Sequence, residues 1–203
     1  MSKYIIGIDE AGRGPLAGPI VAAGIIFRGS KREKQILDLV DDSKKLSLKR
    51  REDLFLPIIK NFIWSVRMYD NNFIDKYGIQ RANILLFHDI VEDLGKYFGK
   101  TNDVVADYVG GGETVLKNIN FFKSGESQFK EIAAASILAK VYRDRLMMDI
   151  DKNYPHYEFG LHKGYGTRRH FEAISRHGLS PIHRKSFLKN SALAYFDTTR
   201  AKI

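Results

Sequence analysis

The chain has 203 residues, 44% apolar and 28% charged, which suits one water-facing domain around a core of ordinary size. It has no cysteine, which excludes disulfides and thiolate metal sites, and no apolar run long enough to cross a bilayer, so a cytoplasmic location is expected. The net charge of +9 is uneven: residues 121–203 carry 15 Lys+Arg against 8 Asp+Glu, together with five of the six histidines, which points to a polyanionic partner such as nucleic acid.

In chain order, Ile5–Asp9 reads as a buried strand, a short β-branched run that stops at acids. Pro19–Phe27 predicts a second strand after a Gly-Pro turn. Lys31–Asp42 is charged and helical at its start, and Ser47 caps a helix over Leu48–Lys60. Asn61–Met68 alternates like a strand with one face more polar. Asn72–Tyr77 is a short helix, and Ile79–Phe98 a longer one with an apolar stripe from Ile84 to Leu94. Asp103–Asp107 is another short strand ending on an acid. Three glycines make Val109–Glu113 a loop, and Asn118–Phe122 is the last strand, running into a loop at Lys123–Ser127. Phe129–Asp151 is the longest helix. A loop over Tyr154–Tyr165, a helix from the Thr167 cap to Arg176 and a helix around Arg184–Ala194 complete the chain. Strands alternating with helices give an α/β fold, expected as a single domain over 1–203 with a C-terminal helical portion from about residue 167.

Asp9, Glu10 and Asp107 stand where strands run out, and Glu126 stands in the loop after the last one. Loops at strand ends are where α/β sheets build active sites. Carboxylates are hard ligands suited to Mg²⁺, and two ions about 4 Å apart can activate a water and stabilise the leaving oxygen of a phosphodiester. Successive strand residues point to opposite faces, so Asp9 and Glu10 are expected to share a site only if the chain bends at Glu10. "GRGPLAG" is no P-loop: it lacks the Lys-Ser/Thr, and Pro15 and Pro19 remove amide donors. The spacings of His156, His162, His170 and His177 fit no zinc signature, and these residues are read as surface or phosphate-facing.

Four blocks in order, "GIDEAGRGPLAGP", "DDSKKLS", "EIAAASILAKVYRD" and "HKGYGT", resemble the bacterial type 2 ribonuclease H family along nearly the whole chain. The resemblance implies a ribonuclease H-like fold, with a mixed five-stranded sheet flanked by helices and a C-terminal helical extension. It implies a two-metal endonuclease, using Mg²⁺ or Mn²⁺, that hydrolyses the RNA strand of RNA/DNA hybrids and cuts 5′ to ribonucleotides embedded in duplex DNA. By position, Asp9, Glu10, Asp107 and Glu126 are then the catalytic, metal-binding acids. Gly12, Arg13 and Gly14 are expected to read the 2′-hydroxyl, and Tyr165 to stack beside the next sugar. The 2′-hydroxyl is what separates RNA from DNA at such a site. Ser43, Lys44, Lys45, Ser136 and Lys140 are candidates for phosphate contacts, with Arg184 and Lys185 continuing the basic surface, while Asp144 is read as structural. The small residues Ala133–Ser136 would let the helix approach either a nucleic-acid backbone or the sheet.

Two positions depart from the family pattern. The fourth acid is Glu126 where Asp is usual, with Ser124 inserted before Gly125, and Asp107 is followed by Tyr108 instead of glycine. A glutamate there is typical of the related type 3 enzymes, which lack the glycine–arginine–glycine turn. Two alternatives therefore stay open: a hybrid nuclease inactive on single ribonucleotides, or a hybrid-binding module with impaired catalysis. Nothing in the sequence demands an oligomer, so a monomer is expected.

Overall fold

The structure, a computed structural model, describes residues 4–40, 46–98, 103–108, 116 and 118–188. Five strands, β1 (Ile5–Ala11), β2 (Ile20–Phe27), β3 (Ile63–Tyr69), β4 (Asp103–Asp107) and β5 (Asn120–Phe122), form one sheet in the order β3-β2-β1-β4-β5. β2 pairs antiparallel with β1 and β3, while β4 pairs parallel with β1 and β5. This is the mixed five-stranded sheet that the resemblance implies.

Helices surround it: α1 (Lys31–Leu39), α2 (Leu48–Asn61), α3 (Asn71–Tyr77), α4 (Ile79–Phe98), α5 (Gly125–Gln128), α6 (Lys130–Asp151), α7 (Phe159–His162) and α8 (Arg168–His177). Their starts follow local chemistry. Ser30 and Glu33 close a capping box, while Ser47, Asp70 and Thr167 each accept an amide of the first turn.

The alternation of β1 assigns its two faces. Ile6 and Ile8 pack with Ala22, Leu86, Phe87 and Ile90 on the α4 side. Each such buried Ile, Leu or Phe contributes roughly 2 kcal/mol of transfer free energy. Gly7 and Asp9 face α6, and a Cβ on Gly7 would sit 2.3 Å from the Glu131 backbone. Only glycine lets the helix lie that close. Ala133, Ala134 and Ala135 are at most 1% exposed, so helix–sheet packing explains those small residues. A separate cluster joins Leu16 and Ala17 to Met147, Tyr157, Phe159, Phe171 and Ile174, clamping the C-terminal helices to the turn after β1.

The structure corrects the sequence reading in several places. β1 does not stop at Asp9 but stays paired with β2 as far as Ala11↔Val21. Part of the expected Lys123–Ser127 loop is α5, and the Tyr154–Tyr165 loop contains a 3-10 turn at Pro155–Tyr157 followed by α7. The more polar face of β3 meets α4: Arg67 and Ser65 donate to Asp93 at 2.6 and 2.8 Å, while Trp64 and Met68 are exposed. In the expected terminal helix, 185–188 are helical and Arg184 is not; residues 189–194 and the Val109–Glu113 loop lie outside the described residues.

Candidate active site

Asp9, Glu10, Asp107 and Glu126 line one pocket of about 260 Å³ with Gly12, Arg13, Gly14, Ser136, Lys140 and Tyr165. The expected bend at Glu10 is not what unites the acids. β4 pairs with β1 only as far as Ile8↔Ala106, so beyond Ile8 that flank of β1 is open. Asp9, from the α6 face, and Glu10, from the α4 face, meet around this open end. Asp107 follows the last β1–β4 pair on the neighbouring strand, and its Oδ1 accepts the Gly125 N–H at 2.8 Å.

That bond seats the start of α5 and so places Glu126, which is 6% exposed. The inserted Ser124 enters the helix in the left-handed region, φ 55°, a conformation that costs about 1 kcal/mol for a non-glycine residue. Tyr108, the other departure from the family pattern, is partly exposed, with the Lys123 Nζ 5.7 Å above its ring, and does not line the pocket.

Asp9 is 3% exposed. Burial, followed by the charges of Glu10 and Glu126, holds its carboxyl well above the usual carboxylate range; a Ser136 hydrogen bond opposes this and Asp107 adds to it. Among the described residues, no three His, Asp or Glu side chains lie close enough to hold one ion as they stand. The site is therefore a shared pocket in which the three other acids repel the charge on Asp9.

The glycine–arginine–glycine turn is held from below. Arg184 is fully buried and donates to the carbonyls of Gly12 (2.7 Å), Arg13 (2.9 Å) and Gly18 (2.9 Å). Arg143, equally buried, donates to Pro19, Ala17 and Lys163. Peptide groups are planar and none here is cis, so carbonyls turned toward Arg184 point the Arg13 and Gly14 amides the other way. Gly12 has φ +96°, and a Cβ there would lie 2.1 Å from Arg143 Nε. Both features demand glycine. Burial lowers Arg184 to about 9, with Arg143 adding to the shift, which leaves it charged at neutral pH.

Arg184 is thus no part of the basic surface; it is an internal strut, and Lys185 alone of that pair is exposed. The Arg13 side chain does face the pocket, 3.9 Å from Glu10 and bonded to Gln80 at 3.0 Å. Lys140 bonds Asp144 at 2.8 Å and lies 5.9 Å from the Tyr165 ring, while Asp144 is buried and does not line the pocket. Arg51 of α2 also lines the pocket, a residue the sequence did not single out. Ser43, Lys44 and Lys45 lie outside the described residues.

His156 and His177 are exposed, as read, but His162 and His170 are not. His170 is 0% exposed and His162 9%; His162 stacks on His170, which in turn packs against buried His183. Nothing in the sequence separates a buried histidine from an exposed one, because the rings that cover it, such as Phe159 over His170 and His183, are placed there only by the fold.

The Ribonuclease HII family model matches residues 6–190. A ribonuclease HII of Caldicellulosiruptor bescii is 42% identical over 193 residues, covering 93% of this chain and 88% of that protein. Among solved structures, ribonuclease H2 from Pyrococcus horikoshii OT3 has a TM-score of 0.75 at 25% identity, covering 97% of this chain and 99% of that one. Bst-RNase HIII in complex with Mn²⁺ has a TM-score of 0.78 at 22% identity over 96% of this chain and 70% of that one, which shows the shared ribonuclease H-like fold. The match over nearly its full length, on a fold whose sheet end gathers four acids beside a glycine–arginine–glycine turn, places the chain in the ribonuclease HII family of endonucleases.

Proposed function

We propose that this ribonuclease H is a divalent-metal-dependent enzyme that hydrolyses the RNA strand of RNA/DNA hybrids and cuts 5′ to ribonucleotides embedded in duplex DNA. The observation that carries the reading is the convergence of Asp9, Glu10, Asp107 and Glu126 in one pocket with the Gly12–Gly14 turn.

The donor set fits Mg²⁺ or Mn²⁺: all four ligand candidates are carboxylates, and each addition to the set makes the ionised Asp9 harder to sustain without a cation. Bound there, such ions would neutralise the acids, activate a water and stabilise the departing 3′-oxygen, leaving 5′-phosphate and 3′-hydroxyl ends. The complex of Bst-RNase HIII with Mn²⁺ supports the choice of ion.

The protein's own residues supply position. The Arg184-held turn presents the Arg13 and Gly14 amides for the 2′-hydroxyl, and the 42% exposed Tyr165 ring offers a face to the next sugar. Ser136 and Lys140 stand within the pocket for the flanking phosphates; Ser43, Lys44 and Lys45 take the same role on the strength of sequence alone. Residues 1–203 act as one catalytic unit, monomeric and cytoplasmic; among the described residues no helix is long and apolar enough to cross a membrane.

Asp9→Asn tests the reading: hybrid cleavage with Mg²⁺ falls to background, whereas retained cleavage refutes the acid assignment. One observation favours a second reading: Glu126 matches the type 3 pattern, which would restrict cutting to continuous hybrids.

A further inference from the structure

Below Tyr165, outside the pocket, lies a wired set of imidazoles. His170 Nδ1 is 2.9 Å from the Tyr165 carbonyl, and its Nε2 is 3.0 Å from His183 Nε2. His183 Nδ1 accepts the Ser180 N–H at 2.8 Å, with the Ser180 Oγ also at 2.8 Å. The Ser180 carbonyl lies farther from the same Nδ1, at 3.3 Å, so the shorter contacts at the two ends of this chain set the tautomers. A carbonyl only accepts, so His170 carries hydrogen on Nδ1 and has a lone pair on Nε2. His183 must then carry hydrogen on Nε2 and accept at Nδ1, which is what an amide N–H at the far end requires.

His162, stacked on His170 with ring centroids 4.4 Å apart, grips the Lys163–Gly164 peptide, one residue upstream of Tyr165. Its Nδ1 accepts the Gly164 N–H at 3.2 Å while its Nε2 donates to the Tyr157 carbonyl at 2.7 Å. Two neutral rings therefore hold the backbone on both sides of the Tyr165 α-carbon. The Tyr165 ring itself remains partly exposed at the pocket, opposite Lys140.

We propose that His170, oriented by Ser180 through His183, is a positioning residue for the nuclease reaction: it fixes the Tyr165 carbonyl and with it the direction in which the Tyr165 ring meets the substrate sugar. The inference rests on the reading of Tyr165 as the sugar-facing residue. Burial lowers both His170 and His183 to about 4, so the wire is intact at neutral pH.

The test is a double-mutant cycle on a duplex with one embedded ribonucleotide, in Mg²⁺, with kcat and KM measured separately. His170→Phe keeps the ring volume but removes the donor and the acceptor. It lowers kcat/KM about tenfold in the wild-type background, and it has no further effect in a Tyr165→Ala background. His170→Gln, which can both donate and accept, recovers part of the loss. An equal loss in both backgrounds means a general structural role and overturns the proposal. If Tyr165→Ala alone leaves cleavage unchanged, the reading of Tyr165 has failed and the proposal falls with it, an outcome distinct from the first. Should His170→Phe not fold, imidazole ¹⁵N spectra of the unaltered protein at pH 7 decide. The wiring requires neutral rings with hydrogen on Nδ1 of His170 and Nε2 of His183, and the opposite tautomer or a cation at either overturns it.

Discussion

The open sheet end and the C-terminal layer treat charge in opposite ways. At the sheet end four carboxylates crowd one pocket, and Asp9 is held well above its usual range by burial and by its neighbours. In the C-terminal layer two buried guanidiniums are each satisfied by three backbone carbonyls, and the histidines are spent on one another and on the chain. A pocket that accumulates like charge is shaped for something that arrives, whereas a layer that uses its polar atoms internally is shaped to keep still. The first region is read here as the catalyst, and the second as the frame that aims the Gly12–Gly14 turn and Tyr165 at it.

The contrast breaks most visibly at Asp9. Asp9→Asn is expected to lower cleavage by about 10³-fold or more, through loss of ligand charge at the reacting phosphate. The same variant is expected to unfold at a higher temperature than wild type in metal-free buffer, because it removes a charge that burial and Glu10 disfavour. A drop in midpoint would mean that the pocket acids are stabilising without metal. Glu126→Asp should cost about 10²-fold in kcat, since α5 and the left-handed Ser124 set the backbone for the longer side chain. Deleting Ser124 together with that change should restore part of the loss, and an unimpaired single variant would show that the pocket tolerates either acid.

In the frame, Arg184→Met should lower unfolding stability by about 3 kcal/mol in urea titrations, because three buried carbonyls lose their donor at once. A loss within 0.5 kcal/mol, on the order of a surface substitution, would contradict the strut.

The frame also answers to acid. His170 and His183 sit at about 4 in the fold against 6.5 when unfolded, with burial as the leading cause and His162 adding. Between those values the unfolded chain binds the extra protons. Stability is therefore full above pH 6.5 and falls as pH drops toward 4, by up to roughly 1.4 kcal/mol per pH unit for each histidine. Asp9 acts in the reverse sense, losing stability as pH rises through its raised value, so the slope should be steeper in Asp9→Asn. Unfolding midpoints between pH 7.5 and 4.5 check both slopes. Glu158, Asp151 and Lys163 are the charged groups around His162 that modulate it.

Much of this was legible in the chain. Apolar runs, and in β3 alternation, marked the five strands, and three acids at strand ends with one just beyond marked the pocket, because burial and metal chemistry each leave a local residue pattern. Arg184 and the three buried histidines were not legible. A basic or imidazole side chain belongs on the surface by default; Arg184 is internal because the carbonyls of Gly12 and Arg13 arrive from a distant segment, and the histidines because they pack on one another and on Phe159. The bend expected at Glu10 failed for a similar reason: the gap at Asp9 is made by where β4 stops pairing, which β1 cannot encode.

The account turns on catalyst and reader sharing one pocket. Its most direct test compares initial rates on three duplexes in Mg²⁺: one with a single embedded ribonucleotide, a continuous RNA/DNA hybrid and an all-DNA control. The account predicts cutting of the first two, 5′ to the lone ribonucleotide in the first, and none of the third. Cutting of the continuous hybrid alone would contradict the junction-reading roles of Arg13 and Tyr165.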